Sequence, residues 1–191
     1  MKNVLVFIAD GSEEVEAFSP IDYLRRAGLS VSVVAVGTAS RTVTMSHKVS
    51  VNADITLESY LSSAADSLPD AVVVPGGMPG AANIAASKSA VALLEACCKA
   101  GKLVCAICAS PALVLSKTSA LEGKSWTCYP GMEGNAAAFA AGHREGVPFV
   151  HDGNVITGRG PGAAEEFSME IVKTLCGQDS FDTIRKGALL R

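Results

Sequence analysis

The chain has no concentrated positive charge. Its 16 Lys and Arg stand against 19 Asp and Glu, a formal net charge of −3, without any basic cluster. That argues against a nucleic-acid partner, because phosphate binding needs a dense cationic patch. Long apolar runs are also missing. Val4 to Ala9 stops at Asp10-Gly11, too short to span a membrane. It lacks the small-residue tail of a cleavage site, so the expectation is no signal peptide, no membrane partner and a cytoplasmic location. Six cysteines among 191 residues are too sparse for a disulfide scaffold. No internal repeat, linker or low-complexity stretch interrupts the chain.

What is present is a core-forming composition, 49% apolar and 18% charged, which speaks against disorder. The length suits one domain over 1–191. Apolar runs at Asn3–Ala9, Leu29–Val36, Asp70–Pro75, Leu103–Ile107 and Asn154–Thr157 read as strands. They are near-continuous in β-branched residues, as strands covered on both faces are. Glu13–Ala27, Ser87–Ala100, Pro111–Lys117 and Gly162–Cys176 carry helical spacing, and the Ala-rich stretch Asn135–Gly142 is also expected to be helix. The first helix either begins at Ser19-Pro20 or begins near Ser12 and kinks at Pro20; Gly28 ends it. Such alternation predicts an α/β fold, a mostly parallel sheet with helices on both faces.

Open parallel sheets bind ligands at the carboxyl ends of their strands. Four loops follow such ends: Asp10 to Glu16, Pro75 to Gly80, Cys108 to Pro111 and Arg159 to Gly162. In Ala106-Ile107-Cys108-Ala109-Ser110 a strand runs into a cysteine flanked by small residues, with Pro111 suited to a first helical turn. This pattern resembles a nucleophile elbow with Cys in place of Ser. A helix start there would lower the thiol pKa; a buried structural cysteine is the competing reading. Cys105 and Cys108 form a C-x-x-C, but three strand residues span about 10 Å, beyond the roughly 4.4–6.8 Å that a disulfide bridges. No second C-x-x-C or His pair completes a zinc set, so no metal is expected. Cys97, Cys98, Cys105 and Cys176 read as buried reduced thiols.

Gly76-Gly77 follows a valine strand. Its backbone N–H groups could form half of an oxyanion hole, with the Ala109 N–H as the other half; an ordinary tight turn is the alternative. No Gly-Lys-Ser/Thr follows, which removes a phosphate loop. Glu13, Glu14 and Glu16 crowd one turn. Favourable charge at a helix start explains at least two of them. Glu16 lies between apolar neighbours, Val15 and Ala17-Phe18, which makes it the candidate to point inward. Protonated, it could donate to a Cys108 thiolate and move protons during turnover.

The segments ADGSEEVE at 9–16, LRRAG at 24–28, VVVPGG at 72–77, AICASPA at 106–112 and RGPG at 159–162 together resemble the ThiJ/PfpI superfamily, in the branch of the Parkinson-disease-linked protein deglycase. The resemblance implies a flavodoxin-like three-layer sandwich, a homodimer, and no cofactor. By motif, Cys108 matches the oxidisable elbow cysteine, Glu16 the glutamate that contacts it, and Gly77 and Ala109 the backbone oxyanion donors. Gly76, Tyr129 and Arg159 are candidate pocket residues.

Two departures stand out. Where this branch often has a Thr-His-Pro-like stretch, the chain reads Thr127-Cys128-Tyr129-Pro130, and a tyrosine is a poor proton shuttle near neutral pH. The peptidase-like branch places His directly after the cysteine; here Ala109 stands there, against a Cys-His peptidase. His143 and His151 are the remote candidates for replacement, expected as exposed loop residues.

The implied activity is cysteine-dependent, cofactor-independent glyoxalase or deglycase chemistry on small 2-oxoaldehydes such as methylglyoxal, or on their adducts. The alternative is a redox sensor or redox-activated chaperone that works by oxidation of Cys108. A hydrolase or amidotransferase on the same elbow would need a histidine base beside the sulfur.

Overall fold

The computed structural model describes residues 1–63 and 67–190. A seven-stranded sheet runs in the order β5 (Ile55–Thr56), β2 (Ser30–Ala35), β1 (Asn3–Ile8), β6 (Ala71–Val74), β7 (Leu103–Ile107), β9 (Val155–Gly158), β8 (Phe149–Asp152). Every pairing is parallel except that of β8 with β9. A two-stranded antiparallel ribbon, β3 (Thr42–Thr44) with β4 (Ser50–Asn52), stands apart from it.

The strand sequences divide between two cores because successive side chains point to opposite faces. Val4, Val6 and Ile8 of β1, Ala71 and Val73 of β6, and Leu103, Cys105 and Ile107 of β7 meet α1 (Glu14–Arg26) and α6 (Ala164–Cys176). Leu5, Phe7, Val72, Val74, Val104 and Ala106 face the opposite core, with α4 (Lys88–Lys99). This is the mostly parallel α/β arrangement expected from the alternation.

Several elements differ from the sequence expectation. α1 starts at Glu14, with Glu13 as its N-cap, and continues through Pro20. Pro20 has no N–H to offer the Glu16 carbonyl one turn earlier, yet burial of Ala17, Ile21 and Leu24 holds the turns on either side. The expected helix at Pro111–Lys117 is instead α5 (Ser110–Leu113) followed by a 3₁₀ turn at Leu115–Lys117.

The Ala-rich stretch is not α-helix but 3₁₀ turns over Glu133–Gly142, broken at Ala136 by φ −120° and ψ 38°. Alanine favours a helix, but of this stretch only Ala136 is fully buried, so no apolar stripe supplies the tertiary support that short helices need. α2 (Leu57–Ser63), α3 (Gly80–Ala86) and α7 (Gln178–Gly187) are helices beyond those expected. Among the cysteines expected to be buried, Cys98 and Cys176 are partly exposed.

Candidate active site

Parallel pairing puts the ends of β1, β6, β7 and β9 on one rim, and the loops that leave them are bonded together there. The Glu13 amide donates to the Gly76 carbonyl at 3.1 Å, and the Cys108 amide donates to the Gly158 carbonyl at 2.9 Å. The Ser110 hydroxyl donates to the Pro75 carbonyl at 2.6 Å.

Cys108 adopts φ 65°, a left-handed conformation rare for a residue with a side chain. It follows β7 directly and precedes α5, so the strand-to-helix turn is the sharp elbow that the small neighbours suggested. The turn is held from both sides: the Tyr129 amide donates to the Cys108 carbonyl at 2.8 Å. The residue is 9% exposed.

The three acids of the first turn have separate fates. Glu13 caps α1 by accepting the Glu16 amide at 2.8 Å. Glu14 accepts from the Ser46 hydroxyl at 2.8 Å and the His47 amide at 2.6 Å, and pairs with His47 Nδ1 at 2.7 Å. Burial alone would raise the Glu14 carboxyl, but these bonds outweigh it and bring it down to about 2.

Glu16 points inward and is fully buried. Its Oε2 accepts the Gly76 amide at 2.8 Å; its Oε1 is buried with no hydrogen-bond partner. Such an atom is costly to leave bare unless it carries or receives a proton. Burial raises this carboxyl to about 7, against the opposing pull of the Cys108 thiol and the Gly76 amide.

The thiol moves opposite to the sequence expectation. Burial, and then the charge on Glu16, push Cys108 up to about 12, while the Gly77 and Ala109 N–H groups pull it down. α5 has only four residues, so its dipole is small, and desolvation of the anion wins. The two groups titrate as a pair. The first proton leaves near 7 and the second only near 12. Between about 7 and about 12 the pair therefore carries one negative charge, with one proton left between oxygen and sulfur.

Gly76 is the floor of this arrangement. A Cβ there would stand 2.6 Å from Cys108 Cβ, 2.8 Å from Glu16 Oε2 and 3.0 Å from the Ala109 nitrogen. Gly77 has φ +83°, and a Cβ on it would meet the Glu13 nitrogen and the Gly11 oxygen at 2.5 Å. Tyr129 is half exposed and lines, with Pro130, Arg159 and Gly160 to Ala163, an open cleft of about 420 Å³ beside the elbow. Arg159 also donates to the Gly146 carbonyl at 3.3 Å.

No histidine serves the elbow; each of the three is engaged elsewhere. His47 pairs with Glu14. His151 lies on β8, not in a loop, and its Nδ1 is 2.8 Å from Glu170. His143 is half-buried rather than exposed, against Trp126 with ring centroids 4.9 Å apart. Its Nε2 lies 3.9 Å from Cys128 Sγ, and Glu133 joins the same cluster. Spacing alone does not reveal this grouping, because Cys128 lies in the loop after Trp126, while Glu133 opens the irregular 133–142 segment and His143 caps its far end. Cys105, fully buried in the core shared with α1 and α6, makes no disulfide with Cys108.

Residues 2–174 match the model of the DJ-1/PfpI family. The chain belongs to the DJ-1/PfpI family. It is 40% identical over 187 residues to protein DJ-1 homolog B of Arabidopsis thaliana, covering 98% of this chain and 41% of that relative. It spans about half the length of that protein and of DJ-1 homolog A, of which it covers 47%. A relative in Schizosaccharomyces pombe named glutathione-independent glyoxalase DJ-1 is 29% identical over 190 residues, covering 97% of each chain. The solved structure of oxidized Toxoplasma gondii DJ-1 superposes with a TM-score of 0.90 at 35% identity, covering 99% of this chain and 98% of that one. With such neighbours the three-layer sheet is a DJ-1-type, flavodoxin-like fold. Among the described residues, no helix is long and apolar enough to cross a membrane.

Proposed function

We propose that this DJ-1 family member is a cofactor-independent glyoxalase acting on methylglyoxal-type 2-oxoaldehydes, or a deglycase acting on their adducts. The observation that carries this reading is the inward carboxyl of Glu16, poised near neutrality against the strained Cys108. A glyoxalase needs one nucleophile and one group that both gives and takes a proton, and this pair offers both.

In the proposed sequence the Cys108 sulfur bonds to the aldehyde carbon. The carbonyl π electrons move to oxygen, which takes a proton from Glu16 and leaves a hemithioacetal. The Glu16 carboxylate then removes the hydrogen on that carbon, giving an enediolate. Glu16 returns this proton to the adjacent carbon while the hydroxyl proton passes to the neighbouring oxygen, which yields a thioester. Water hydrolyses it, the C–S bond breaks, and a 2-hydroxy acid such as lactate leaves the free thiol. The sum is aldehyde plus water to hydroxy acid, with no external oxidant or reductant. The Gly77 and Ala109 amides are the donors for oxygen charge in each step.

The S. pombe relative's name supports the glyoxalase reading. A homodimer fits the apolar surface on α1 and beside it, where Val15, Phe18 and Val49 are each more than a third exposed. Lactate formation from methylglyoxal by wild type, Cys108→Ser and Glu16→Gln tests the reading. Turnover is expected to vanish in the first and collapse in the second; full activity in Cys108→Ser removes the proposal.

A second reading rests on the unpartnered Glu16 Oε1. Peroxide would transfer one oxygen to the sulfur, releasing water, and a second peroxide would take the sulfenate to sulfinate. An added oxygen would find donors in protonated Glu16 and the two amides. Mass analysis after peroxide treatment distinguishes this role; first oxidation at Cys98, with Cys108 intact, rules it out.

A further inference from the structure

The Cys128, Glu133 and His143 cluster lies apart from the Cys108–Glu16 pair and is not used by the chemistry proposed for it. One ligand atom from each of the three lies within 4.8 Å of the others, and Cys128 Sγ is 3.9 Å from His143 Nε2. Cys128 is buried, with its sulfur 3.4 Å from the Tyr129 carbonyl. Thiolate, imidazole and carboxylate together form the donor set of a borderline-soft transition ion rather than of magnesium or calcium.

The backbone brings these donors together before any ion arrives. Glu133 opens the 3₁₀ segment and His143 caps its far end, so both ends of one element return to Cys128. The Trp126 amide donates to the Gly142 carbonyl at 2.9 Å and the Arg144 amide to the Trp126 carbonyl at 2.8 Å, which clamp His143 beside the strand-like residues ahead of Cys128. Gly142 permits this approach, since a Cβ there would collide with the Lys124 carbonyl. The tilted Trp126 ring, 52° to the imidazole, supports the His143 side chain. On the other flank the Thr127 amide is fixed to Thr157 Oγ1 at 2.9 Å.

A small, partly open cavity of about 60 Å³ adjoins all three donors, with Glu145 and Arg159 on its wall. Two carboxylates against one guanidinium leave it negative even before the thiol ionises. Its volume admits an ion with a water, which needs roughly 30 Å³. Bond lengths near 2.3 Å to sulfur and 2.0–2.1 Å to nitrogen place tetrahedral S and N about 3.5 Å apart. From 3.9 Å, that requires closure of a few tenths of an ångström, within side-chain freedom.

We propose that Cys128, Glu133 and His143 bind a divalent transition ion of the Zn²⁺ class, through sulfur, a carboxylate oxygen and Nε2, with water as fourth ligand. Binding releases the Cys128 thiol proton to solvent and forms the metal–sulfur bond, with no change of oxidation state. The site stands two backbone steps from the elbow, because the residue after Cys128, Tyr129, holds the Cys108 carbonyl through its amide. It does not depend on the glyoxalase reading.

Cobalt(II) titration of the reduced, metal-stripped full chain tests the site by absorption. One equivalent is expected to produce a thiolate-to-cobalt charge-transfer band and the strong d–d bands of four-coordination, both abolished by added Zn²⁺. Cys108→Ala is expected to keep these bands, and Cys128→Ser to lose the charge-transfer band. Glu133→Gln and His143→Gln should weaken binding by at least about tenfold, the loss that even an outer-shell partner produces. Circular dichroism checks that each variant is folded; should Cys128→Ser not fold, the exposed Glu133→Gln carries the comparison. Absence of the charge-transfer band in folded wild type overturns the proposal. So does a band that survives Cys128→Ser and disappears in Cys108→Ala, which would put the ion on the elbow.

Discussion

The Gly76 amide donates to Glu16 Oε2 at 2.8 Å, while the absent side chain of Gly76 leaves the space in which Glu16 and Cys108 meet. One backbone position thus orients the acid by hydrogen bonding and permits its approach to sulfur by being small. That double use makes the position a sharper probe of the site than either reactive residue.

Gly76→Ala is therefore expected to cripple the site without unfolding the chain. The new methyl group would stand 2.6 Å from Cys108 Cβ and 2.8 Å from the carboxylate, so one of the two must move. Overpacking of this kind costs about 1–3 kcal/mol. The expected result is a lower melting temperature together with lost methylglyoxal turnover. Wild-type kinetics in this variant would mean that the close Glu16–Cys108 approach is not needed for the reaction.

Stability should carry the signature of Glu16. Its carboxyl is raised in the folded state from 4.5 to about 7. Between those values the unfolded chain has released the proton that the folded chain still holds. Stability therefore falls as pH rises across this window and is level above it. The full effect is roughly 3 kcal/mol. Glu14 acts with the opposite sign and lower down: lowered to about 2, it contributes stability above 4.5 that is lost as pH falls towards 2. Denaturant melts of wild type and Glu16→Gln from pH 4 to 8 separate the two, since only the slope above 4.5 should flatten in the variant.

Alkylation of Cys108 should follow the pair, not the isolated thiol. Loss of the first shared proton creates the single negative charge, so the iodoacetamide rate at Cys108, mapped by mass analysis, is expected to rise through about pH 7. In Glu16→Gln only the sulfur can supply that charge, and burial opposes it, so the rise should move to higher pH. Identical profiles for the two proteins would contradict the shared-proton description.

The ribbon formed by β3 and β4 should loosen when Glu14 is neutralised. Glu14 receives the Ser46 hydroxyl, the His47 amide and the His47 ring. Glu14→Gln is expected to speed hydrogen exchange at the His47 amide, leaving exchange in β1 and β6 unaltered. Unchanged exchange at His47 would show that the Ser46 and Met45 backbone bonds to Ser12 and Val49 hold the turn without the carboxylate.

Legibility varied with how much of each element's burial its own residues express. β1, β6 and β7 are covered on both faces, so their valine and isoleucine runs announce them. β8 is a half-exposed edge strand, and α7 is a mostly polar helix that buries only Ile184, so few apolar residues mark either. The elbow could be read because a strand, small residues and a proline are contiguous. The lowered thiol expected there failed because helix dipole and hydrogen bonds are local, whereas desolvation depends on everything packed around the sulfur.

Contiguous residues determined the parallel strand runs, the strand-to-helix turn at Cys108 and the placement of four loops at strand ends, since periodicity and backbone sterics act over a few neighbours. The tertiary structure alone decided which of three adjacent acids turns inward, how Glu16 and Cys108 share a proton, and that Cys128, Glu133 and His143 converge. Each of those depends on distance and dielectric between segments far apart along the chain, quantities that no local pattern encodes.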